Sequence, residues 1–129
     1  GNRTARENIA DLCDEGSFVE YGSLTLAAQR RRRSMDDLIA KTTGDGMVCG
    51  LGHVNGAQFP EDKSRIVAMS YDYMVLAGTQ GHYNHHKKDR MFEVAEAVFR
   101  IFILQKTVQE GGVSGVDAHF HGLQPIAFP

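Results

Sequence analysis

Ala77, Gly78 and Thr79 are the residues of this chain whose types and placing best suit the capture of an oxygen anion. An apolar run at 66–69 leads into Tyr71, Asp72, Tyr73, Met74, Val75 and Leu76, residue types that fit a pleated strand. From about Gly81 the spacing is helical instead, with Met91, Val94, Ala95 and Val98 at i, i+3, i+4 and i+7. A strand that bends through small residues into a helix N-terminus leaves several N–H groups without intrahelical partners. A carbonyl or phosphate oxygen in front of the bend can take up those donors. The same three residues would equally serve a turn needed only to pack strand closely on helix.

Other side chains invite a chemical reading. His82, His85 and His86 lie close together, and His119 and His121 form an H-x-H pair. His82 and His86 are i, i+4 on a helix, a spacing that can hold zinc. No glutamate follows the first as H-E-x-x-H requires, and Lys87 and Lys88 add opposing charge. Surface histidines on a polar helix start are the simpler reading, and no metal is expected. Arg30, Arg31, Arg32 and Arg33 could contact the phosphate of a nucleotide or form a solvated loop before a short helix capped near Ser34. Cys13 and Cys49 show no C-x-x-C spacing and read as reduced thiols. There is no G-x-S-x-G elbow and no G-x-x-x-x-G-K-[ST] loop, so neither a serine hydrolase nor a P-loop nucleotidase is supported.

Recognisable local signals position these residues. Thr4 and Glu7 are spaced as a capping box, Ile9, Leu12 and Cys13 form an apolar stripe, and Gly16 supplies the stop, so a helix is predicted over 5–13. Residues 17–21 suit a short edge strand. Residues 47–54 and 57–59 flank Asn55-Gly56, the dipeptide most favoured for a two-residue type I′ hairpin, and residues 60–64 read as a polar turn before a second arm resumes at 65–71. Residues 101–104 suit a buried strand. Two β-arms followed by a covering helix make one β-β-α unit.

In that order, Thr4 to Glu7, Gly16 to Glu20, Gly44 to Gly46, Asn55-Gly56, Ser70 to Thr79 and Lys87 to Met91 resemble the carboxyltransferase component of biotin-dependent acyl-CoA carboxylases, of the acetyl-, propionyl- and methylcrotonyl-CoA type. The match resembles the N-terminal part of that component, good over 1–96 and divergent over 97–129, as one truncated domain. The resemblance implies an α/β (α+β) fold, a partial crotonase/ClpP-like β-β-α spiral, and transfer of a carboxyl group from carboxybiotin to an acyl-CoA. Such transfer makes an enolate from the thioester, and preorganised backbone N–H pairs stabilise such anions. The resemblance places a thioester oxygen against the amides of Gly111, Gly112 and Val113, and the coenzyme A region at Ala77, Gly78 and Thr79. Gly111 to Val113 would also serve as an ordinary turn, since Val113 replaces a family glycine. The resemblance also ranks the phosphate end of coenzyme A above nucleic acid as the ligand for the arginine run. No biotin site is identified, so the isolated chain is expected to be inactive. The competing expectation is a non-catalytic crotonase-fold remnant acting as a binding or oligomerisation module.

Composition narrows the partners. The chain has 129 residues, 42% of them hydrophobic and 23% charged, enough for one globular domain. The 14 basic and 16 acidic residues nearly cancel, which argues against a polyanion or an acidic membrane surface as partner. No run approaches the roughly 18 apolar residues of a spanning helix, and no signal peptide is visible, so a cytoplasmic location is expected. A homo-oligomer is expected, and the resemblance implies a biotin carboxylase or biotin carrier component as its companion.

Overall fold

The computed structural model describes residues 3–98, 100–101, 104–105 and 117–118. Helix α1 (Ala5–Leu12) starts where the capping box predicts it, with the Thr4 hydroxyl accepting from the Glu7 N–H and the Glu7 carboxylate accepting from the Thr4 N–H at 2.7 Å. Strand β1 (Val19–Glu20) is short and lies at the sheet edge. Helix α2 (Met35–Lys41) is capped by Ser34, as predicted. Strand β2 (Met47–His53) and strand β3 (Arg65–Tyr71) pair antiparallel over their full length, Met47 opposite Tyr71 and His53 opposite Arg65. Helix α4 (His82–Val98) follows, and strand β4 (Arg100–Ile101) returns parallel to β3. The four-stranded order is β1-β2-β3-β4, and β5 (Leu104–Gln105) pairs with β6 (Asp117–Ala118) in a separate ladder.

This is the α/β arrangement expected, an antiparallel pair followed by a covering helix and a parallel return. Because strand side chains alternate, one face of the β2–β3 pair sends Val48, Ile66 and Ala68 towards Ala5, Ile9 and Cys13 of the α1 side. The other sends Met47, Cys49, Val67 and Met69 against Met91 and Ala95 of α4. On the α1 face, a side chain at Gly50 would collide with the Val19 carbonyl, and one at Gly52 would press the Cys13 sulfur at 3.0 Å. Both cysteines are free and buried, as expected of reduced thiols.

The hairpin is formed by these two strands, but not through a two-residue turn at Asn55-Gly56. Residues 57–59 make no return arm. The chain instead crosses by residues 54–64, which include the single-turn helix α3 (Glu61–Ser64) where a polar turn was expected. The reason is a competing acceptor: Asp14, after α1, takes the N–H groups of Asn55 at 2.9 Å and Gly56 at 2.7 Å. With its amides committed sideways, the dipeptide starts a wider loop in which the Phe59 N–H donates to the Asn55 carbonyl. The strand before the small-residue bend is also shorter than predicted. It ends at Tyr71, and Asp72 turns the chain by accepting the Met74 N–H on its own carboxylate at 3.0 Å.

Candidate functional site

Two loops with the same unusual backbone meet at the start of α4. Gly44, Asp45 and Gly46 have φ of 68°, 50° and 78°, and Leu76, Ala77 and Gly78 have φ of 50°, 53° and 75°. Three consecutive left-handed residues are costly for side chains with a Cβ, so each loop must be held by its surroundings. They are also joined to each other. The Asp72 N–H donates to the Gly46 carbonyl at 2.9 Å, and a Cβ on Gly46 would touch Val75 at 3.5 Å.

The first loop is buried throughout, and Asp45 anchors it. Its carboxylate accepts the Asn84 N–H at 2.9 Å in the first turn of α4, and the Asn84 side-chain amide donates to the Asp45 carbonyl at 3.1 Å. A negative charge at a helix N-terminus is favourable there. The carboxylate lies so close to Gly81 that any Cβ at that position would overlap it. One turn on, the buried Lys87 ammonium donates to the carbonyls of Gly44 at 3.0 Å and Met47 at 2.5 Å. Burial pushes the Lys87 pKa down, and the neighbouring Cys49, Glu20 and Asp45 partly offset this. Burial also pushes the Cys49 thiol up to about 11, with Lys87 acting against the shift.

The second loop, by contrast, faces solvent. Ala77 and Thr79 are exposed, as are Tyr73 and Met74 beside them. The Thr79 hydroxyl donates to the Leu76 carbonyl at 2.7 Å, closing the bend into the segment before α4. Ala77, Gly78 and Thr79 therefore sit as the sequence suggested, on an open bend between strand and helix. Gly111, Gly112 and Val113, like His119 and His121, lie outside the described residues.

Tyr83, exposed on the first turn of α4, joins Leu24 and residues 25–32 around an open groove of about 710 Å³. Arg30, Arg31 and Arg32 line it and are solvent-exposed. The groove's lining thus combines three arginines with Leu24, Leu26, Ala27, Ala28 and Tyr83, a combination suited to a ligand with both phosphate and apolar parts. His82, His85 and His86 are exposed on the same helix start. Among the described residues no group of three or more His, Cys, Asp or Glu is arranged to hold a metal ion, and no helix is long and apolar enough to cross a membrane.

Sequence reasoning missed the Asp45–Asn84–Lys87 interlock and took Lys87 for a surface charge. A signal was present. Continued towards the N-terminus, the buried stripe of Met91 and Ala95 runs through Lys87 and Asn84 at i−4 and i−7 from Met91, placing two polar residues on the covered face.

No protein-family model matches the chain. Among curated proteins it is similar to a propionyl-CoA carboxylase beta chain of Saccharopolyspora erythraea, 36% identical over 95 residues, covering 74% of this chain and 16% of that one. It is likewise similar to the biotin-dependent acetyl-/propionyl-coenzyme A carboxylase beta5 subunit of Mycobacterium tuberculosis, 32% identical over 119 residues, covering 88% of this chain and 20% of the other. Among solved structures, a single-chain, multi-domain long-chain acyl-CoA carboxylase superposes with TM-score 0.78 at 54% identity, over 81% of this chain and 11% of that chain. The transcarboxylase 12S hexamer with hydrolysed methylmalonyl-coenzyme A bound gives TM-score 0.62 at 25% identity, over 86% and 21%. The chain spans about a fifth or less of the length of each of these relatives.

Proposed function

We propose that this chain, a homologue of part of the carboxyltransferase components of biotin-dependent acyl-CoA carboxylases, supplies the acyl-CoA side of a carboxyl-transfer centre. The observation that carries the reading is the pairing of the two left-handed loops, one locked by Asp45 and Lys87 and the other exposed at Ala77 and Thr79, ahead of the helix start whose Tyr83 lines the basic groove. A locked loop fixes the bend in place before any ligand arrives. Preorganisation of this kind lowers the cost of binding and of stabilising a developing anion.

In this reading the exposed bend and the residues of the Arg30–Arg32 groove receive the coenzyme, whose phosphates match the guanidinium groups. The thioester oxygen would be received by backbone N–H groups at Gly111, Gly112 and Val113, which would stabilise negative charge developing on that oxygen. Biotin, when presented by its carrier, supplies the carboxyl group, and no residue of this chain is assigned to hold it. The chain works as part of an oligomer, with the carboxybiotin side of the centre contributed from elsewhere. The hydrolysed methylmalonyl-coenzyme A bound to one relative supports a coenzyme site by analogy, and the hexameric assembly of that relative supports the oligomer.

Calorimetric titration with propionyl-CoA tests the reading. Saturable binding at millimolar ligand or below is expected, without transfer of a carboxyl group from free carboxybiotin. Absence of any affinity at millimolar ligand would overturn it in favour of a binding or oligomerisation module built on the same fold.

A further inference from the structure

We propose that His82 and His86 form an exchangeable two-histidine site for a zinc-type divalent ion on the exposed face of α4. The Nε2 atoms of the two rings are 3.3 Å apart, and the ring planes stand at 82° with centroids 4.7 Å apart. A tetrahedral ion bound at the usual zinc–nitrogen distance needs its two nitrogens about 3.3–3.4 Å apart, whereas ligands at a right angle would have to approach to about 2.9 Å. The pair is therefore already spread to the tetrahedral separation. One ring now donates its Nε2–H to the other; an ion would take the place of that shared proton once both rings turn to face it and the donor ring carries its proton on Nδ1 instead.

The backbone beneath the pair is fixed. Asn84 and Lys87, in the same two turns of α4, are both buried and bonded to the Gly44–Met47 segment, so the i, i+4 spacing of the histidines does not have to be organised on binding. The same burial weakens the electrostatic objection raised by the sequence, because the Lys87 ammonium points inward onto the Gly44 and Met47 carbonyls and leaves Lys88, half-buried, as the nearer opposing charge in sequence. Since no third protein ligand is arranged with the pair among the described residues, water fills the other positions. The ion is held at the positive end of the helix dipole. Both features make it labile, removable by dialysis, and open to an additional ligand. Imidazole selects zinc over a hard ion such as magnesium.

The test is titration of the full chain with zinc chloride, read by calorimetry and by competition with a chromophoric chelator, with magnesium chloride as the contrast. One zinc ion per chain is expected on the pair and none of magnesium. His82→Ala and His86→Ala should each weaken that binding by about tenfold or more, since losing a ligand costs at least as much as losing its supporting hydrogen bond. His85→Ala should leave it unchanged, and circular dichroism confirms the fold of each variant. Failure of zinc to bind, binding that survives the His82→Ala/His86→Ala double substitution, or an equal loss in His85→Ala would each overturn the proposal.

Discussion

The Gly44–Gly46 and Leu76–Gly78 loops share one backbone conformation and differ in everything around it. The first is enclosed by Asn84, Lys87 and Gly81, and its Gly44 carbonyl, Asp45 carbonyl and one Asp45 carboxylate oxygen are bonded to the helix it supports. The second presents its outer edge to solvent, held among the described residues by the Thr79 hydroxyl, local turn bonds and the Asp72–Gly46 link to the first loop. A left-handed run is therefore no sign of a binding site in itself. What separates scaffold from candidate site here is whether the strained backbone is used up by the protein or left available, and the two loops can be told apart by what substitution does to each.

The largest effect should follow from crowding the enclosed loop. Gly81→Ala places a Cβ on the Asp45 carboxylate, and relief requires moving either the loop or α4. We expect a loss of about 3 kcal/mol in urea unfolding, at the upper end of the range for overpacked sites. Asp45→Ala should cost about 2 kcal/mol by leaving the buried Asn84 N–H without its acceptor. Asp45→Asn should cost less, because its amide oxygen still accepts that N–H. Equal losses in the alanine and asparagine variants would mean that charge, not hydrogen bonding, locks the loop.

The enclosed loop also leaves a signature at high pH. Cys49 sits fully buried on the same side, its pKa raised from 9.0 to about 11 by desolvation. A raised acid binds more protons folded than unfolded, so its contribution is complete below 9.0 and disappears as pH rises through about 11. A rise of that size is worth roughly 3 kcal/mol of stability. Lys87 has the opposite sign: its lowered pKa means the unfolded chain binds more protons, so its penalty is relieved as pH rises towards 10.5. Unfolding free energies measured from pH 8.5 to 11 should therefore fall more steeply in the native chain than in Cys49→Ala. Parallel curves would show that the thiol is not shielded as the structure has it.

Where sequence and structure agree, and where they part, follows from how far each signal reaches. The Thr4–Glu7 box and the Ser34 cap are complete within four residues, so nothing distant competes with them. The small-residue bend at Ala77, Gly78 and Thr79 was legible because a change of hydrophobic period surrounds it. Asn55-Gly56 misled because its amides are taken by Asp14, 41 and 42 residues away in the chain. Lys87 misled for the same reason: its partners are carbonyls 43 and 40 residues earlier, and composition reads any lysine as solvated until a carbonyl cage is seen. Gly44-Asp45-Gly46 was recognisable as a pattern, but that its aspartate ties the loop to the helix start depends on a tertiary contact.

The smallest predicted effect separates the two loops most directly. Gly46 and Gly78 have nearly equal φ, 78° and 75°, so alanine should cost each about 1–2 kcal/mol in backbone strain. Neither site has room to add much to that difference: the new Cβ meets Val75 at 3.5 Å in one case and Tyr73 at 3.3 Å in the other, the latter an exposed ring that can yield. Matched destabilisation then allows a clean comparison of ligand affinity. If the open bend receives coenzyme A, Gly78→Ala should weaken propionyl-CoA binding several-fold under conditions where both variants remain folded. Gly46→Ala should leave that affinity close to the native value, because its loop faces the protein. Equal weakening in both would mean that the bend acts only through the packing it shares with the enclosed loop, and unchanged affinity in both would move the coenzyme away from Ala77, Gly78 and Thr79 altogether.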